Sequence, residues 1–196
     1  MDTATPQRVR AVVVADPVRT QGMSVHGQPL TAAALAALAD WCDAVLVGSE
    51  ACAASTPLEQ LCAGADRIVV HDPLCPLLTP AALRACVAAL LPGEAVVGIR
   101  PVTDTLKSVT DGLVSSTIER DTVAVLASPV VFAADVVAAL SRVLPTAGDL
   151  ADPVVLVGAL SEVCRLRSVT VPSAGRRISD LDDLAVLAAL AEAGAT

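Results

Sequence analysis

Aromatic side chains are nearly missing from this sequence: they make up 1% of its 196 residues, with Trp41 and Phe132 the only large rings. Any core must therefore be built from Ala, Val and Leu, which the 54% hydrophobic content allows, and the length suffices for one domain with a full interior. Positive charge is also scarce. Lys plus Arg is 13 against 21 for Asp plus Glu, a net charge of -8, which excludes the basic stripe of a nucleic-acid-binding surface. A single phosphate ligand stays possible, because a few local arginines outweigh a mild global field. Asp, Arg, Pro or Gly interrupt every apolar run well before the roughly 18 residues a membrane span needs. Met1 to Arg10 lacks a basic start followed by an apolar stretch, so no secretory signal is expected and the chain reads as cytoplasmic. The six cysteines contain no C-x-x-C pair and read as reduced, small core residues rather than disulfides or zinc ligands. Internal repeats, low-complexity segments and linkers are lacking too, which predicts one domain over residues 1–196.

What is present is alternation. Continuous apolar runs alternate with helical patterns, which argues for repeated βα units around a mostly parallel sheet flanked by helices. Strands are expected at Val9–Ala15, Ala44–Gly48, Arg67–Val70, Ala95–Ile99, Thr122–Leu126 and Val163–Val171. Helices are expected at Thr31–Trp41, Pro57–Cys62, Ala133–Leu144 and from Val154 to Leu160. Another begins at Thr79-Pro80, a hydroxyl cap followed by proline at the first helical position. Its apolar stripe is Leu83, Val87, Leu90 and Leu91. Thr146–Asp152 reads as a loop. Ser179-x-x-Asp182 reads as a variant capping box opening the last helix, with Asp180, Asp182 and Asp183 suiting its positive end. Residues 107–120 are polar, with Asp111-Gly112 as a turn signal, and read as a hairpin-like excursion from the body.

One stretch concentrates chemistry. The run Ala95 to Ile99 leads through Arg100 to Pro101, which ends the strand because proline cannot donate to a ladder. Two hydroxyls, a carboxylate and an ammonium follow in Thr103, Asp104, Thr105 and Lys107. Polar groups just past the carboxyl end of a parallel strand are where open α/β sheets bind ligands. A solvated turn with a charged exit has the same spacing.

Pro101-Val102-Thr103-Asp104-Thr105-Leu106-Lys107 resembles the Pro-Val-x-Asp-Thr-x-Lys signature of the 2-C-methyl-D-erythritol 4-phosphate cytidylyltransferases. Further segments extend the resemblance in order. His71-Asp72-Pro73-Leu74-Cys75-Pro76 resembles the family's His-Asp-Ala-Ala-Arg-Pro, with cysteine where the family has arginine. Thr117-Ile118-Glu119-Arg120 resembles Thr-x-Asp-Arg, and Ser128-Pro129-Val130-Val131-Phe132 resembles Thr-Pro-Gln-x-Phe. Gly175 to Leu184 resembles Asn-x-Lys-x-Thr-x-Pro-Glu-Asp-Leu, which puts the family's phosphate-binding lysine on Arg177 and its threonine on Ser179.

The resemblance implies a Rossmann-like nucleotidyltransferase fold with a protruding arm at residues 107–120 that embraces the second subunit of a homodimer. It implies transfer of CMP from CTP to a polyol phosphate in the non-mevalonate isoprenoid pathway, with Mg²⁺. Asp72 would contact the acceptor and lie near the metal, Thr105 and Lys107 would face the acceptor, and Arg120 would reach its phosphate across the dimer. Arg177 would be a catalytic cation and Ser179 a hydroxyl at a helix N-terminus, itself an anion site. Such chemistry needs two polyanions held in line with charge neutralised between them.

The nucleotide side departs from that pattern. The family's first strand runs into Ala-Ala-Gly-x-Gly-x-Arg, whereas here Ala15-Asp16-Pro17-Val18-Arg19-Thr20-Gln21 holds no glycine. Pro17 has no N–H to offer a phosphate and Asp16 repels one. Ala15 and Asp16 remain the nucleotide-binding positions by alignment. Counting back from Gly27 puts Thr20 at the catalytic lysine, with Arg19 one position away as a replacement. The cytosine-selecting Gly-Gly-x-x-Arg-x-x-Ser is also lacking before His71. Two readings follow: an active cytidylyltransferase, or a non-catalytic paralogue that kept the fold and the dimer and serves in binding or regulation.

Overall fold

The computed structural model describes residues 7–15, 20–25, 27–48 and 52–194. β1 (Val9–Val14) leads to a small ribbon of β2 (Ser24–Val25) and β3 (Gln28–Pro29), then α1 (Leu30–Ala39) and β4 (Asp43–Val47). α2 (Leu58–Cys62), β5 (Arg67–His71), α3 (Pro80–Ala88) and β6 (Glu94–Pro101) follow. The chain then forms β7 (Leu106–Thr110), β8 (Leu113–Ile118), β9 (Ala124–Ala133), α4 (Val137–Leu140), α5 (Pro153–Val163), β10 (Arg165–Thr170) and α6 (Leu181–Gly194).

Six strands make one sheet in the order β10-β6-β9-β5-β1-β4. β1 pairs parallel with β4 and β5, and β10 pairs parallel with β6, while β9 runs antiparallel between β5 and β6. The reason is legible in β1: its Val-rich run alternates between two cores, as a strand covered on both faces must. Val12, Val14, Ile68, Val70 and Phe132 face Leu140, Leu156 and Leu160 of α4 and α5. Ala11, Val13, Val69 and Val131 face Ala34 and Leu38 of α1 and Leu83, Cys86 and Val87 of α3. Residues four apart on these helices share a face, so small alanines and leucines suffice to cover a valine sheet.

Several boundaries differ from the sequence expectation. β9 does not stop at Leu126 but continues through Ser128-Pro129 to Ala133, which shortens the expected 133–144 helix to a 3₁₀ turn and α4. Proline is disfavoured inside a sheet, yet pairing on both flanks carries β9 past it, and the ladder to β6 shifts register between Val97 and Ile99. Residues 147–151 form a 3₁₀ helix rather than a loop, because Thr146 and Asp149 make a reciprocal capping box. Leu91 lies past the end of α3 and is exposed, while Leu90 is buried. The last helix is capped one residue later than the Ser179 reading: Asp180 accepts from the Asp183 N–H, and Asp183 accepts from the Ser179 N–H. Thr79 caps α3 as its sequence suggested, accepting from the Ala82 N–H.

The excursion at 107–120 is the β7–β8 ribbon. Asp111 and Gly112 both take positive φ, at 51° and 78°, the conformation a two-residue hairpin turn of matching twist demands. Its flanks carry Val109, Leu113 and Val114, all strongly exposed. All six cysteines are free thiols. Among the described residues no helix is long and apolar enough to cross a membrane.

Candidate active site at the carboxyl edge of the sheet

β1, β4 and β5 point the same way, so their carboxyl ends, at Val14, Val47 and His71, share one edge of the sheet. A cleft of about 790 Å³ opens there, lined by Ala15, Gly48, Leu126, Asp152 and Arg177 among others. A neighbouring groove of about 640 Å³ runs over Ala15, Thr20 to Ser24, Gly27 and Gly48. This is where an open α/β sheet holds its ligands.

The turn after β5 adjoins the cleft and shares Arg177 with it: His71, Asp72, Ser128 and Arg177 line a smaller pocket alongside. Asp72 directs Oδ1 to the Leu74 N–H at 2.9 Å and Oδ2 to Nε of Arg177 at 2.6 Å. Arg177 comes from the segment before α6, held in place by the Ile178 N–H donating to the Leu74 carbonyl at 2.7 Å. The pair is half-shielded, with side-chain exposures of 18% for Asp72 and 21% for Arg177. A guanidinium has five donors, so Arg177 can hold Asp72 through Nε and still present N–H groups to an anion. Next door, Arg176 pairs with the buried Asp183.

Behind the pair lies a buried polar knot. His71 is 1% exposed and its Nδ1 sits 2.6 Å from the Ser128 Oγ. The same Oγ accepts from the Asp72 N–H at 3.1 Å. Burial pushes the His71 pKa down from 6.5 to about 4, against a smaller upward pull from the Asp72 carboxylate. The imidazole is therefore neutral at ordinary pH. Cys75 is fully buried beside them, and burial, with Asp72 adding to it, raises its thiol to about 12. That thiol is an inert packing group rather than a nucleophile.

The residues picked out by sequence divide into two groups. Asp72 and Arg177 converge, and Ser179 follows directly, its N–H held by Asp183 and its side chain exposed. Thr105, Lys107 and Arg120 sit on the arm or at its base. Lys107 bonds Thr117 across the ribbon, and Arg120 donates to the Thr103 carbonyl at 3.1 Å. Arg120 lines a separate groove with Ser168 and Thr170, which Arg177 does not line. Ala15 lines both openings at the sheet edge. Asp16 and Arg19 lie outside the described residues.

Both oxygens of Asp72 are engaged, one by a guanidinium, and among the described residues no group of three or more His, Cys, Asp or Glu side chains could hold a metal ion. Asp72 keeps a second lone pair on each oxygen, so it could still hold the Mg²⁺ that the resemblance places beside it together with substrate phosphates. In this structure Asp72 orients Arg177. Two contributors were given no role by sequence reasoning: Ser128, which appeared only within the Ser-Pro-x-x-Phe resemblance, and Asp152, which caps α5 by accepting from the Val154 and Val155 N–H groups beside the cleft.

A mostly parallel sheet covered on both faces, with a carboxylate–guanidinium pair at the carboxyl edge and a protruding ribbon, defines a Rossmann-like nucleotidyltransferase fold. The family model described as IspD, 2-C-methyl-D-erythritol 4-phosphate cytidylyltransferase, matches residues 45–189. A 2-C-methyl-D-erythritol 4-phosphate cytidylyltransferase of Syntrophotalea carbinolica is 43% identical over 79 residues, 40% of this chain and only 30% of that relative's length. Among solved structures, 4-diphosphocytidyl-2C-methyl-D-erythritol synthase of Anaerococcus prevotii superposes with a TM-score of 0.74 at 17% identity, covering 95% of this chain and 96% of that one. The 2-C-methyl-D-erythritol 4-phosphate cytidylyltransferase of Thermus thermophilus gives 0.69 at 22% identity, covering 92% and 98%. The chain belongs to the 2-C-methyl-D-erythritol 4-phosphate cytidylyltransferase family.

Proposed function

We propose that this protein transfers CMP from CTP to the phosphate of 2-C-methyl-D-erythritol 4-phosphate, releasing pyrophosphate and forming CDP-methylerythritol. One observation carries the reading: Asp72 and Arg177, 105 positions apart, meet at 2.6 Å on the ligand-binding edge of the sheet. The sequence resemblance assigns both to the same ligand.

In this reaction an acceptor phosphate oxygen attacks the α-phosphorus of CTP, the bond to the bridging oxygen of the β-phosphate breaks, and pyrophosphate departs. Arg177 neutralises the acceptor phosphate with the N–H groups left free by Asp72, and Asp72 fixes the plane of the guanidinium. Thr105, Lys107 and Arg120 come from the arm of a second copy, so the working unit is a cytoplasmic homodimer. The exposed Val109, Leu113 and Val114 on the arm support this, since such apolar side chains clustered on a projecting ribbon suit a partner surface.

A second reading, a binding or regulatory dimer without transfer, has its own support. Among its described residues the groove over Ala15, Thr20 to Ser24 and Gly27 carries no Lys or Arg, whereas a triphosphate calls for cations there. Incubation with CTP, Mg²⁺ and 2-C-methyl-D-erythritol 4-phosphate, with pyrophosphate release as readout, separates the two. Stoichiometric release above a no-acceptor control is the expected result. Calorimetric binding of the acceptor without any release would leave only the second reading.

A further inference from the structure

We infer that Ser128 is a positioning residue: its side chain locks the turn that presents Asp72, and through Asp72 it sets the direction of Arg177. The inference rests on the reading of Asp72 and Arg177 as the acceptor-phosphate site.

Asp72 is tied in four ways, two of them within the turn. Its carboxylate takes the Leu74 N–H at 2.9 Å, its carbonyl takes the Cys75 N–H at 2.9 Å, and its Oδ2 takes Arg177. The fourth tie, from the Asp72 N–H to the Ser128 Oγ at 3.1 Å, is the one that anchors the turn to a neighbouring strand. Ser128 holds the entry to the same turn at one further point. Its Oγ also lies 2.6 Å from His71 Nδ1. The last residue of β5 and the first residue of the turn therefore both register on one serine of β9.

The proton arrangement follows. Ser128 Oγ accepts from the Asp72 N–H, so its own hydroxyl hydrogen is available to one acceptor. With the imidazole proton on Nε2, His71 Nδ1 is that acceptor; with it on Nδ1, Ser128 Oγ accepts instead through its second lone pair. Ser128 itself cannot drift, because Gly98 on β6 packs against it: a Cβ at position 98 would lie 2.6 Å from the Ser128 carbonyl oxygen. The chain of contacts thus runs from β6 through β9 to the β5 turn and ends on the guanidinium. A tilt of the Asp72 carboxylate would swing Arg177 away from any phosphate, while leaving the fold intact.

The test compares Ser128→Ala with Ser128→Thr and, at the other end of the bond, His71→Asn, which keeps an acceptor near the Nδ1 position. Two readouts are taken: the KM and kcat for 2-C-methyl-D-erythritol 4-phosphate, and the ¹⁵N-resolved Arg177 Nε–H signal, whose exchange protection reports the Asp72 pair without any ligand. Ser128→Ala should raise KM about tenfold, the effect of one lost buried hydrogen bond, with kcat much less changed, and should remove the Nε–H protection. Ser128→Thr should restore both, and His71→Asn should fall between. Unchanged Arg177 protection in folded Ser128→Ala overturns the inference. So does failure of Ser128→Thr to restore what Ser128→Ala lost. If the wild type itself neither turns over nor binds the acceptor, the proposed function fails, and the Nε–H signal alone still decides the role of Ser128. Should Ser128→Ala not fold, His71→Phe against His71→Asn makes the same comparison.

Discussion

Gly98 offers the sharpest quantitative test of how this sheet is assembled. A Cβ placed there would meet the Ser128 carbonyl oxygen at 2.6 Å, the Ser128 carbonyl carbon at 2.8 Å and the Pro129 nitrogen at 3.1 Å. All three are backbone atoms of β9, which is paired on both sides and cannot yield as a side-chain tip would. Overpacking against such a wall costs about 1–3 kcal/mol, and the rigid neighbour argues for the upper half. Reduced freedom of the unfolded chain returns about 0.4–1 kcal/mol. Gly98→Ala should therefore lose about 2 kcal/mol, a fall in Tm of about 5 °C for a chain of this size. Gly158 supplies the control of opposite sign. It lies in α5, exposed, with nothing within 4 Å of an added Cβ, so Gly158→Ala should gain up to about 1 kcal/mol by helix propensity alone. Urea denaturation of the wild type and both variants, with equal slopes, measures the pair. A Gly98→Ala protein as stable as the wild type would refute the close approach of β6 and β9, and with it the anchoring of Ser128.

Three further outcomes are expected. The His71 pKa of about 4, against 6.5 when exposed, means the unfolded chain takes up a proton that the folded chain refuses between those values; stability should be full above pH 6.5 and fall by up to about 3 kcal/mol as pH drops toward 4. Denaturation curves across that window should be flatter for His71→Asn than for the wild type, and identical slopes would show that His71 is not buried neutral. Asp152→Ala removes the cap that accepts from the Val154 and Val155 N–H groups at 2.8 and 3.3 Å and should cost about 1 kcal/mol, read by thermal denaturation. Light scattering should give a dimer for the wild type and a smaller species for Leu113→Glu, since Leu113 is 74% exposed on the arm; a wild-type monomer would remove the arm from the proposed site.

The sequence by itself determined the alternation of strands and helices, because runs such as Ala11-Val12-Val13-Val14 have no way to be satisfied except between two apolar layers. It also determined the Asp111-Gly112 turn and the Thr79-Pro80 helix start, where local chemistry leaves few conformations. The identities of Asp72 and Arg177 as candidates came from motif order. Only the tertiary structure decided that these two touch, that both Asp72 oxygens are already engaged, and that Arg120 rests on the Thr103 carbonyl. The same holds for β9, whose Ser128-Pro129 looks like a strand end until β5 and β6 pair with it on either side. Hydrophobic period and turn chemistry act over a few residues and can be read along the chain. A hydrogen bond between positions 72 and 128, or an ion pair between 72 and 177, depends on how strands distant in sequence are brought side by side, and that placement is a property of the packed core as a whole.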